Sequence, residues 1–84
     1  MSKLIGEPVK VHEDKESIIN AFIWRKRLYR VLEVVGWWRE PPEWWHGKAM
    51  CFFIRVNAKN SNASTGTYEL YKFGEQWFIS RVID

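Results

Sequence analysis

The sequence holds one cysteine, Cys51, so no disulfide can form within the chain. Small extracellular domains that cannot build a large core are usually stapled by several, and the expected setting is therefore reducing and cytoplasmic. Histidine is almost as scarce. His12 and His46 lie in separate polar segments, and neither has a cysteine or carboxylate at a metal-ligand spacing, so no metal and no cofactor are expected. No stretch approaches the ~18 apolar residues of a membrane span, and Met1 to Gly6 hold no apolar run of the signal-peptide kind. Neither export nor a membrane partner is expected. Nor is there a large excess of one charge: 13 Lys and Arg against 10 Asp and Glu leave a formal +3, less than a dedicated duplex-binding module displays.

What the chain does have is rings. Five Phe, six Trp and three Tyr make it 17% aromatic. A domain this small buries only about 60–65% of the surface its unfolded chain exposes, and each buried aromatic removes roughly 150–250 Å² from water. The rings are thus expected in the core before they are expected at a site.

Their spacing is that of strands. Val9 and Val11 alternate with Lys10 and His12, a period of two that gives one dry face. The charged stretch His12 to Ser17 closes this strand. From Ile18 to Trp24, Phe22 and Trp24 share a face; from Leu28 to Val35, Tyr29, Val31 and Val35 share a parity; Arg25-Lys26-Arg27 between them reads as a tight turn. A helix capped by Ser17 also fits Ile18, Ile19, Phe22 and Ile23. The density of β-branched and aromatic residues, and the basic triplet that would interrupt a helical stripe, favour the hairpin.

Gly36 is expected to end this unit. Residues 37–48, built around Pro41-Pro42, then form a Trp/Pro-rich loop, because proline fits neither a central strand nor a helix interior. Ala49 to Asn57 resumes alternation, residues 57–66 read as a flexible polar hairpin loop, and Thr67–Phe73 with Gln76–Ile83 form a last hairpin about Gly74-Glu75. The expectation is one mainly β domain over residues 1–84: a small antiparallel barrel or strongly curved meander of about five or six strands, with at most one short helix.

Several short motifs lie along this frame: Trp24-Arg25-x-Arg27-x-Tyr29-x-Val31, Trp38-Arg39, Phe53-x-Arg55-Val56, Tyr68-Glu69-Leu70-Tyr71 and Trp77-x-Ile79-x-Arg81-Val82-x-Asp84. The pattern resembles a bacterial family of small uncharacterised domains, and is similar to the C-terminal segment of inactive Y-family polymerase-like proteins of mutagenic DNA repair. The resemblance spans nearly the whole chain after Pro8. It implies a fold and an association with DNA metabolism, not a reaction.

No catalytic constellation is visible. Cys51 sits inside a strand pattern, where a lone cysteine is ordinarily a small buried hydrophobe, and as a nucleophile it would need a base such as His46. Glu40 and Glu43 bracket the prolines without the marks of an acid/base pair. Asn62-Ala63-Ser64 matches the glycosylation acceptor pattern, which has no consequence in a cytoplasmic chain. Binding is the stronger expectation, and two groups stand out. Trp37, Trp38, Trp44 and Trp45 cluster about the prolines beside Arg39 and Lys48, and serve either as lid and rim of the barrel, as a protein-binding patch, or as a stacking platform for unpaired bases. Arg25, Lys26, Arg27 and Arg30 are ordinarily a solvated edge; if Arg55 and Arg81 fall on the same side of the sheet as Arg30, they become a basic stripe that contacts phosphate. The expected function is a non-enzymatic interaction module with a protein partner, an accessory in bacterial DNA repair or damage tolerance, acting as a monomer or weak homo-oligomer. The alternative is a single-stranded nucleic-acid binder using tryptophan stacking and Arg/Lys contacts.

Overall fold

Alternating apolar residues become strands only when each strand finds a neighbour for its backbone groups. In the computed structural model, which describes residues 3–16, 18–40 and 51–83, every strand finds two. Six strands, β1 (Lys3–Glu13), β2 (Ile19–Trp24), β3 (Arg27–Glu40), β4 (Cys51–Asn60), β5 (Thr65–Phe73) and β6 (Gln76–Ile83), pair antiparallel in sequence order. The first then pairs with the last to close a barrel. The hairpin reading of 18–35 holds, and the described residues contain no helix.

The inward faces follow the period of two. Val9, Phe22, Trp24, Tyr29, Ile54, Val56, Ala58, Tyr68, Leu70, Trp77 and Ile79 belong to one buried cluster. Phe22 stacks flat on Tyr29, with ring centroids 4.9 Å apart, and Tyr68 meets both rings edge-on, a geometry that adds to their area burial. Glycine is needed at one place in this scaffold. Gly6 takes φ +74° where the β1–β6 register shifts between Leu4 and Glu7, a bulge conformation that a β-carbon would strain. The bulge brings Glu7 opposite Ile79, at the end of the barrel that carries the β2–β3 turn.

Four boundaries differ from the sequence expectation: β1 begins at Lys3 rather than Val9, Arg27 opens β3 instead of completing the turn, and two larger changes follow. Gly36 does not end β3: the strand continues through Trp37, Trp38, Arg39 and Glu40, each paired with β4 down to Cys51. Two register shifts, at Val31/Glu33 and Val34/Gly36, absorb the curvature, and they leave Val35 half exposed rather than on the inward parity of Tyr29. The polar stretch 57–66 is also mostly strand. Asn57 pairs with Thr67 and Lys59 with Thr65, Thr67 Oγ1 donates to Asn57 Oδ1 at 2.7 Å, and the turn shrinks to Ser61–Ser64, where Asn60 Oδ1 accepts from the backbone N–H of Asn62 and Ser64. Polar side chains here are the outward face of a ladder, a role that composition alone does not distinguish from a loop.

Candidate functional site

A two-residue turn between twisted strands needs positive φ at both positions. Arg25 (φ 52°) and Lys26 (φ 65°) supply it, and Arg27 opens β3 opposite Trp24. Arg25 is not a free cation. Its Nε and Nη2 donate to the two carboxylate oxygens of Glu7 at 2.9 and 2.6 Å, while Trp24 Nε1 donates to Glu7 Oε1 at 2.9 Å. The guanidinium also lies over the Trp24 ring, 4.7 Å from its centroid. These bonds hold the Glu7 carboxyl down at about 2, chiefly through Arg25. Arg25 therefore works as a clasp on the barrel's end, and Lys26 and Arg27 are exposed beside it.

Trp38 lies on the outer face of the barrel, stacked on Phe53 at 5.5 Å, and the stack continues through Tyr71 to Phe78 at 5.4 and 5.2 Å. These four rings stand opposite one another in register across β3, β4, β5 and β6. Cys51 joins the same cluster at 1% exposure, where burial pushes its thiol pKa up and suppresses nucleophilicity. Trp37 is 65% exposed, with its ring 5.8 Å from Phe52. Arg39 is exposed opposite Phe52. Trp44 and Trp45, like His46, Glu43 and Lys48, lie outside the described residues.

Arg55 and Arg81 do share the outward face, but an acid stands between them. Arg55 Nε donates to Glu69 Oε1 at 3.1 Å and its Nη2 reaches the same oxygen; Arg81 Nε approaches Glu69 Oε2 at 3.7 Å. Glu69 is a buried carboxylate held by two guanidiniums, and Arg55 also faces the Trp38 ring at 5.4 Å. The conditional basic stripe through Arg30, Arg55 and Arg81 is thus interrupted: two of its three members are committed to a carboxylate.

Uncommitted charge collects elsewhere, on the outer face of β1, β2 and β3. Two cross-strand rows build it. In one, Lys10, Ile23 and Leu28 stand opposite one another; in the next, His12, Ala21, Arg30 and Lys59 do. Two concavities that share Leu28 and Arg30 cover this face, one of about 610 Å³ and one of about 310 Å³, and no carboxylate among the described residues lines either. Among the described residues, no ion pair involves Lys10, Arg30 or Lys59. Ile23 and Leu28 remain 43% and 48% exposed. Of these, only Arg30 was a sequence candidate. Lys59 was hidden in the stretch read as loop, and Lys10 looked like an ordinary outward residue. The signal that could have found the face is Ile23 and Leu28 themselves, apolar residues on the parity opposite to Phe22, Trp24 and Tyr29.

No three or more His, Cys, Asp or Glu side chains among the described residues gather as a metal-binding group. The fold and its open face define a small closed antiparallel β-barrel with a basic and aliphatic outer surface. The chain belongs to the family described as domain of unknown function (DUF6504), which matches it over residues 1–84. No curated protein and no solved structure matches it.

Proposed function

We propose that this domain is a non-enzymatic interaction module whose partner is a protein, held on the outer face of β1, β2 and β3. The observation that carries this reading is the pairing of Ile23 with Leu28 in register, half exposed and bordered by cations without counter-charges. Exposed aliphatic side chains contribute to binding when a partner's apolar groups cover them, and the surrounding charges steer and orient the encounter. The resemblance to the C-terminal segment of inactive Y-family polymerase-like proteins supports a setting in DNA damage tolerance in the bacterial cytoplasm, with the partner another component of that machinery.

A single-strand binder would interleave rings with its cations. Among the described residues the one exposed Trp, Tyr or Phe ring is Trp37, seven positions along β3 from Arg30, about 23 Å at the rise of a strand. Titration of a labelled single-stranded oligonucleotide at low and at physiological salt separates the two readings. The expected result is no saturable binding at micromolar protein in either buffer. Tight binding that weakens steeply with salt would overturn the protein reading, because that dependence is the mark of phosphate neutralisation.

A further inference from the structure

Arg30 and Lys59 stand directly opposite each other in the β3–β4 ladder, on the same outward face, and both are exposed. Like charges in that relation destabilise a sheet. Among the described residues neither has an ion pair, and no described acid lines the concavity they share with Leu28, Asn60 and Ser61; Glu33, in the neighbouring row, is bonded to Asn57 instead. Arg25, Arg55 and Arg81, by contrast, meet Glu7 or Glu69, and in the described ladders Arg30–Lys59 is the one pair of like charges directly opposite each other. The repulsive pair thus sits on a face that also exposes the aliphatic side chains of Ile23 and Leu28.

We propose that this face binds an extended acidic segment of a partner protein in which a carboxylate and an aliphatic side chain lie two positions apart, the carboxylate between Arg30 and Lys59 and the aliphatic group on Ile23 and Leu28. The proposal rests on the protein-binding reading above and names its partner by chemistry. The spacing comes from β3 itself. Leu28 and Arg30 are two residues apart and point the same way, and an extended partner repeats its side chains on one side with the same step, about 6.5–7 Å. The planar fork of Arg30 suits a carboxylate, and Lys59 adds a second positive charge from the other side. Lys10, opposite Ile23, offers a contact for a further acid at the other end of the aliphatic row. A nucleic acid would find charge here but, among the described residues, no exposed Trp, Tyr or Phe ring to stack on. A bound carboxylate converts the Arg30–Lys59 repulsion into two attractions, so the free protein is less stable than it need be and the complex recovers the difference.

The test uses the whole chain and a fluorescently labelled peptide alternating Glu and Leu, beside a control alternating Gln and Leu, a peptide of Glu and Ser, and a single-stranded oligonucleotide. The variants are Lys59→Glu, Arg30→Glu and Leu28→Ser. The Glu/Leu peptide is expected to bind wild-type protein at least about tenfold more tightly than either control peptide, and to weaken with salt. Lys59→Glu and Arg30→Glu should each weaken it about tenfold or more while raising the melting temperature, a combination that a merely damaged fold cannot give. Leu28→Ser should reduce the affinity for Glu/Leu toward that for Glu/Ser. If the Gln/Leu peptide binds as tightly as Glu/Leu and neither charge reversal matters, the acidic-partner proposal fails while protein binding stands. If only the oligonucleotide binds, and does so through Arg30, both readings fail. If no peptide binds, or if the charge reversals lower the melting temperature, the proposal is overturned.

Discussion

Glu7 accepts from Trp24 Nε1 and from two nitrogens of Arg25, and those donors need its charge. In the folded chain its carboxyl titrates at about 2 instead of the ordinary 4.5. A depressed carboxylate contributes stability that is complete above the unfolded value and is lost as pH falls through the folded one. The window therefore runs from about 4.5 down to about 2. Wild type should melt above Glu7→Gln at neutral pH, and the gap should close as pH is lowered across that window in a series of thermal melts. Both partners of the clasp are open to water, so added salt should shrink the gap as well. A gap that stays constant from pH 6 to about 2 would remove the ion pair from the account.

Elements carry the next level. The β2–β3 turn places two L-residues at positive φ, and the left-handed conformation is costly for residues with a β-carbon. Arg25 makes its bonds to Glu7 from that position, whereas Lys26 is exposed and makes no comparable contact. Lys26→Gly is expected to stabilise the domain by about 0.5–1 kcal/mol, a rise of a few degrees in melting temperature for a chain of this size. Loss of stability in a calorimetric scan would mean that the lysine does more than occupy the turn. The β3 strand poses a different problem. Beyond Arg30 it pairs only with β4 among the described residues, and this stretch exposes Leu32, Val34, Val35 and Trp37. Its two register shifts kink and twist the open edge, a device by which sheets discourage pairing with other chains.

For the whole molecule, closure is decisive. The β1–β6 pairing ties Val9 to Trp77 and Glu7 to Ile79, contacts between opposite ends of the sequence, and the inward side chains fill the space so formed. Leu70, fully buried between Ile54 and Ile79 in the ladder, should cost about 2–5 kcal/mol when cut to alanine. That is a large share of the ~5–15 kcal/mol that stabilises an ordinary domain. In urea the midpoint of Leu70→Ala should fall sharply with an unchanged slope, as for loss of stability without a change in the surface exposed on unfolding. A reduced slope would instead indicate that the barrel comes apart in stages.

The strand segments from Val9 onward, the shared parity of Phe22 with Trp24, and turns within Arg25-Lys26-Arg27 and at Gly74-Glu75 were written in the order of residues, because a period of two and the breaks in it are properties of neighbours in the chain. The extent of β3 and β4 was not, since pairing of Trp37 with Ile54 and of Lys59 with Thr65 overrode a glycine and a run of polar residues. The candidate surface was legible only in Arg30 and in the misplaced apolar parity of Ile23 and Leu28. Whether a given arginine meets Glu7, Glu69 or another cation depends on which strands lie side by side and in what register. Those relations join residues far apart in sequence, so tertiary structure alone could commit Arg25 and Arg55 to carboxylates and leave Arg30 facing Lys59.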